Sequence, residues 1–213
     1  MNDYKDIGER FMRYASINTQ SKEGIPDTPS TACQRNLAVL LRDELADMGA
    51  SEVYYDEKHC YVYGAVPGNI PFDQAKLDSR KDKNKRHRQN NAPVIGLMAH
   101  MDSSPDVAGT DFRPRRIDSY DGTDIKLDKD GQYVLSASEY PSLKKHIGQS
   151  IIVTDGTTVL GGDDKAGVAA IMEVMKFYLS HPEYAHGTIR CCFTPDEEVG
   201  NGPMWLDQDH FAC

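Results

Sequence analysis

Two apolar runs, VIGLMAHM at residues 94–101 and TIRCCFT at residues 188–194, narrow the fold most. Neither shows the strict alternation of a half-exposed strand, so each predicts a strand buried in an α/β sheet. Each run also ends in polar chemistry: His100 and then Asp102 after the first, Pro195-Asp196-Glu197-Glu198 after the second. In open α/β sheets, ligands bind in the crevice beyond the carboxyl ends of the strands. A third acidic group sits in LGGDDKAGV, residues 160–168, where paired glycines permit a tight turn and Asp163 and Asp164 precede a helix. Val168, Ile171, Met172, Met175 and Leu179 mark the buried stripe of that helix. Asp at a helix start is also a favoured cap and suits the positive end of the dipole, so this pair taken alone reads first as capping.

The remaining pattern fits one domain over 213 residues, with 39% hydrophobic content for its core. Tyr4, Ile7, Phe11 and Tyr14 predict a first helix ending near Ser16. Leu37, Leu40, Leu41, Leu45 and Met48 predict a second, capped by Ser30 or Thr31 and closed by Gly49. Residues 53–55 and 60–66 read as a hairpin around the polar DEKH, residues 132–135 as a short strand, and 139–147 as a short helix interrupted by Pro141. Residues 151–154 read as a strand entering a hairpin at Asp155-Gly156. The expected architecture is a central, mostly parallel sheet flanked by helices.

Composition excludes several partners. The net charge of −9 disfavours nucleic acid and anionic membranes, and no apolar run approaches the roughly 18 residues of a membrane span. Lys76, Arg80, Lys81, Lys83, Lys85, Arg86 and Arg88 concentrate positive charge in a polar surface loop at about 76–91, but no aromatic residue interleaves them as a nucleic-acid tether requires. Five cysteines without a CxxC pair form neither a disulfide framework nor a zinc knuckle, and agree with a reducing, cytoplasmic setting. Cys191 and Cys192 must face opposite sides of their strand.

Imidazole nitrogen and carboxylate oxygen together hold divalent metals, and paired metals generally share a bridging ligand. Asp163 on its turn is the candidate bridge, with His100 and Glu198 as ligands on either side. Asp102, two residues past His100, points the same way on an extended chain and can orient the imidazole. Glu197 is a spare carboxylate of the kind a general base for hydrolysis requires.

HMDSSPD from His100, LGGDDKAG from Leu160 and FTPDEEVG from Phe193 resemble three motifs of the M20 metallopeptidases. ERFMRYASINTQS, PSTACQRNLAVLLRDELADMG and the order of elements extend the likeness over nearly the whole chain except 76–91. The resemblance implies a two-zinc site in which His100 binds one ion, Asp163 bridges, Glu198 binds the other, Glu197 is the base and Asp102 orients His100. It also implies a cis peptide between Asp163 and Asp164. The activity implied is that of a metal-dependent aminopeptidase, releasing the N-terminal residue of short peptides such as tripeptides through a water activated by two metals. A homodimer is compatible with the full-length form. Family members continue beyond this length with another Asp ligand, an inserted lid domain and a His ligand. The chain therefore reads as the N-terminal part of an M20-like catalytic domain, truncated before the lid, with one ligand of each zinc missing. Two other readings stand beside this one: a relative acting on dipeptides or N-acyl amino acids, and a non-catalytic fragment that binds metal weakly.

Overall fold

The computed structural model describes residues 6–70, 93–107 and 109–211; Tyr4 and the basic segment 76–91 lie outside them. Helix α1 (Ile7–Ala15) starts where Asp6 Oδ1 accepts the Glu9 N–H at 2.9 Å. Helix α2 (Gln34–Asp47) buries Leu37, Ala38, Leu41 and Leu45, and Gly49 leaves it at φ +82°, the left-handed exit assigned to it. The expected cap is not made. The helix starts later than expected, so Cys33 stands at the cap and makes no side-chain capping bond, while Ser30 bonds Asp196 and Thr31 Oγ1 donates to the Gln20 carbonyl at 2.7 Å.

Strands β1 (Ser51–Asp56) and β2 (Tyr61–Val66) form the expected antiparallel hairpin. There follow β3 (Ile95–His100), β4 (Arg115–Ile117), β5 (Ile125–Lys126), β6 (Val134–Leu135), a 3-10 turn at Pro141–His146 and β7 (Ile151–Val153). Helix α3 (Gly162–Ser180), β8 (Ile189–Thr194) and a short α4 (Gln208–Phe211) complete the order.

The central sheet runs β1-β2-β8-β3. It is mixed rather than mostly parallel, since β1–β2 and β2–β8 are antiparallel and β3–β8 is the parallel pair. A hairpin supplies antiparallel neighbours through a short turn, whereas the parallel pair needs the long crossover that contains α3. Strand β3 is buried only at Ala99 and His100; Ile95 and Met98 are exposed because, among the described residues, β3 is a sheet edge. Strand β7 pairs with β4 instead of entering a hairpin, and Asp155 Oδ1 accepts the Thr157 N–H at 2.9 Å to turn the chain.

Alternation divides the sheet faces. Val62, Cys191 and Phe193 pack with Tyr14, Leu37, Leu41, Leu45, Val168 and Met172 of the three long helices, whereas Tyr61, Tyr63 and Cys192 face Leu206 and Phe211. The adjacent cysteines thus lie on opposite sides, as the two-residue period demands. Gly64 permits close approach of α2, because a Cβ there would stand 3.0 Å from Leu45 Cδ1. Among the described residues no helix is long and apolar enough to cross a membrane.

The helical layer is pinned by Arg10, only 2% exposed, which donates to Glu44 at 2.7 Å, Glu173 at 2.6 Å and the Tyr14 hydroxyl oxygen at 2.7 Å. One side chain therefore ties α1 to both α2 and α3. Breaking a buried ion pair on one side leaves its partner uncompensated, so Arg10→Ala is expected to cost about 3 kcal/mol in urea unfolding. A loss below about 1 kcal/mol, the scale of a surface pair, would show that the network is not structural.

Candidate active site

The parallel register places His100 opposite Thr194, and the Met101 N–H still donates to the Thr194 carbonyl at 2.8 Å. The two strands therefore end together. Asp102 emerges fully buried, and its Oδ1 accepts the Glu197 N–H at 3.0 Å while Oδ2 accepts the Glu198 N–H at 3.2 Å. Those glutamates open a 3-10 turn, Glu197–Val199, entered through Asp196 at φ +55°.

His100 lies between carboxylates. Its Nδ1 is 3.2 Å from the Asp102 carbonyl oxygen and 3.4 Å from Asp102 Oδ1, while Nε2 is 3.0 Å from Asp163 Oδ1 and 3.7 Å from Glu197 Oε2. Oxygen acceptors face both ring nitrogens, an arrangement that suits the doubly protonated imidazolium, which donates from Nδ1 to Asp102 and from Nε2 to Asp163. Burial opposes a charged ring, but the hydrogen bond and charge of Asp102, then Asp163 and Glu197, outweigh it and raise His100 to about 9.

Asp163 arrives from a third element. Gly161 turns at φ +69°, the Asp163–Asp164 peptide is cis as the resemblance implies, and both aspartates have non-helical backbone angles. The regular helix begins after them. Asp164 Oδ1 accepts the Gly167 N–H at 3.0 Å, and burial raises its carboxyl above the ordinary range. Asp163 projects outward instead, with 88% of its side chain exposed. The two readings of the pair thus divide between its members: Asp164 caps and Asp163 reaches His100.

The structure therefore gathers Asp102, Asp163 and Glu197 around His100 and hangs Glu198 from the same turn as Glu197. Burial raises the Glu198 carboxyl, against the opposing pull of His100, and repulsion from Asp102, Asp163 and Glu197 adds to the rise. Among the described residues no group of three or more His, Cys, Asp or Glu side chains is arranged to hold one metal ion. The donors fit a divalent ion in kind, imidazole nitrogen with carboxylate oxygen, but two converge where a catalytic zinc generally takes three. Sequence reading gave Lys165 no role. It is wholly buried, its Nζ donates to the Ile17 carbonyl at 2.7 Å, and burial lowers it to about 7. Its place three residues before Val168, on the apolar stripe, was the available signal.

No family model matches the chain. Its fold is shared with the solved aminopeptidase PepT from Bacillus cereus, with a TM-score of 0.59 at 20% identity over 97% of this chain and 40% of that one. The class is thus that of an α/β domain built on a mixed sheet. By sequence the chain is homologous to peptidase T: it is 40% identical to Peptidase T of Alkaliphilus oremlandii over 209 residues, 98% of this chain and 47% of the relative. Peptidase T of Desulfitobacterium hafniense is 45% identical over 205 residues, 96% of this chain and 45% of the relative. The chain spans about half the length of the curated relatives it matches.

A histidine raised by partners in the folded state adds stability that is complete below its ordinary value of 6.5 and is lost as pH climbs through about 9. In the zinc-free chain, Asp102→Asn is expected to return the His100 titration toward 6.5, followed by imidazole NMR, and to erase that part of the alkaline loss. An unmoved titration would show that Asp102 does not govern the ring.

Proposed function

We propose that this chain carries part of the catalytic centre of a metal-dependent aminopeptidase that removes the N-terminal residue from short peptides, tripeptides in particular, in the cytoplasm. The observation that carries the reading is the convergence at the ends of β3 and β8 of His100 Nε2, Asp163 Oδ1 at 3.0 Å and Glu197 Oε2 at 3.7 Å. Homology to peptidase T supports the reaction class. His100 Nε2 and Asp163 would hold one divalent ion, and Asp163 and Glu198 a second, zinc being suited to both donor types. The chemistry such a pair supplies is Lewis acidity, which acidifies water and polarises the scissile carbonyl.

The side chains of the site divide the remaining work. With a metal on Nε2, Asp102 would hold the remaining His100 proton on Nδ1 and so orient the ring. Glu197, with 58% of its side chain exposed, is free to take a proton from the attacking water and return it to the leaving amine. Glu198, more enclosed and raised by burial and by like charges, gains most from a cation beside it.

In a protein that carries this chain at the full length of its relatives, Glu197→Gln is expected to lower kcat by about 10² to 10⁴-fold with zinc content near normal. Glu198→Gln is expected to lower zinc content itself. Equal zinc loss in both variants would mean that base and ligand are exchanged, and faster turnover of N-acyl amino acids than of tripeptides would move the substrate class.

The absence of a three-donor group among the described residues favours a second reading for these 213 residues by themselves, a module with weak metal binding. Calorimetric zinc titration of the 213-residue chain should give weak binding, and a tripeptide assay no turnover. Two tightly held zinc ions with clear turnover would contradict the donor count.

A further inference from the structure

Asp196 is absent from the roles assigned above, yet it is the most completely bonded carboxylate near the site. Fully buried, it accepts the Ser30 hydroxyl at 2.5 Å and the Gln34 Nε2–H at 2.6 Å through Oδ1, and the Ser30 N–H at 2.7 Å through Oδ2. Gln34 Oε1 accepts the Asp196 N–H in return, at 3.2 Å, so one amide side chain grips both the side chain and the backbone of Asp196. That reciprocity fixes which end of the Gln34 amide is oxygen. Ser30 Oγ also accepts the Lys22 N–H at 2.9 Å, and the Asp196 carbonyl accepts the Asn201 N–H at 2.9 Å.

The next two residues are Glu197 and Glu198. Their 3-10 turn has three residues, too short to hold its own orientation, and its backbone is tied to the rest of the site through Asp102. Asp196 supplies the second tie. It leaves β8 in a left-handed conformation that a non-glycine residue adopts at a cost, and the bonds to Ser30 and Gln34 offset that cost.

Resting on the aminopeptidase reading, we propose that Ser30, Gln34 and Asp196 are positioning residues: the start of α2 clamps Asp196 and so sets the aim of Glu197 and Glu198 toward His100 and Asp163. None of the three touches substrate. Each acts through the turn.

Two measurements test this. Amide hydrogen exchange in the zinc-free 213-residue chain reads the turn itself, and kcat, KM and zinc content are read in the protein at the full length of its relatives. Ser30→Ala, which keeps the Ser30 N–H and the Gln34 bonds, should speed exchange at Glu197 and Glu198 about tenfold while core amides of β2 and α3 stay protected. It should also lower kcat by about 10- to 100-fold with KM nearly unchanged. Ser30→Thr, which retains the hydroxyl, should restore both. Unchanged exchange at Glu197 and Glu198 would overturn the clamp, as would a uniform rise across the core, the mark of a merely structural role. Local exchange that responds as described, in a protein whose unaltered form hydrolyses no peptide, would uphold the clamp and refute the aminopeptidase reading.

Discussion

The site depends on one carboxylate with no access to solvent. Asp102 takes two backbone N–H groups from the turn after β8 and faces the imidazole at the end of β3, so a single side chain couples two strand ends. A carboxylate buried without partners costs several kcal/mol, and these donors are what make its burial tolerable. The parallel pairing of β3 with β8 creates the arrangement, since it is the pairing that lets both strands deliver their polar ends to one edge. An antiparallel partner would have sent the two ends to opposite sides of the sheet.

The third element is supplied differently. Asp163 and Asp164 are neighbours in sequence, yet one turns inward to the Gly167 N–H and the other outward to His100. Lys165, next along, anchors the start of α3 to the segment after α1 through the Ile17 carbonyl. Its ammonium also lies 5.1 Å from the centre of the Phe112 ring, a contact favourable to a buried cation. The helix start is thus fixed by Asp164 and Lys165, leaving Asp163 as the exposed member of the acidic pair with 88% of its side chain in solvent.

Much of this was legible from local pattern. The apolar runs gave both strands of the parallel pair, the period-3.6 stripes gave the three long helices, and the motif residues gave the cluster at His100. What local pattern could not give was pairing. Residues 151–154 looked like the first arm of a hairpin, but Ile151–Val153 pairs with Arg115–Ile117, and the β1–β2 hairpin inserts beside β8 to make the sheet mixed. Nor could local pattern show that Ser30, expected as a cap, would instead serve Asp196, 166 residues away, while α2 begins later with Cys33 at its cap. Asp196 itself was hidden among three consecutive acids, where nothing in the sequence separates a buried, bonded carboxylate from exposed ones. Exposure of Ile95 and Met98 was equally invisible, because an apolar run does not say how many neighbouring strands cover it.

The most direct test of the central claim, that Asp163 and His100 form one side of a two-metal site, is anomalous diffraction at the zinc edge. Crystals would be grown from a zinc-loaded protein carrying this chain at the full length of its relatives. The account predicts one peak about 2.0–2.1 Å from His100 Nε2 and a second about 3.5–4 Å beyond it, with Asp163 touching both. Zinc on Nδ1, or bridged by Asp164 with Asp163 free, would contradict it.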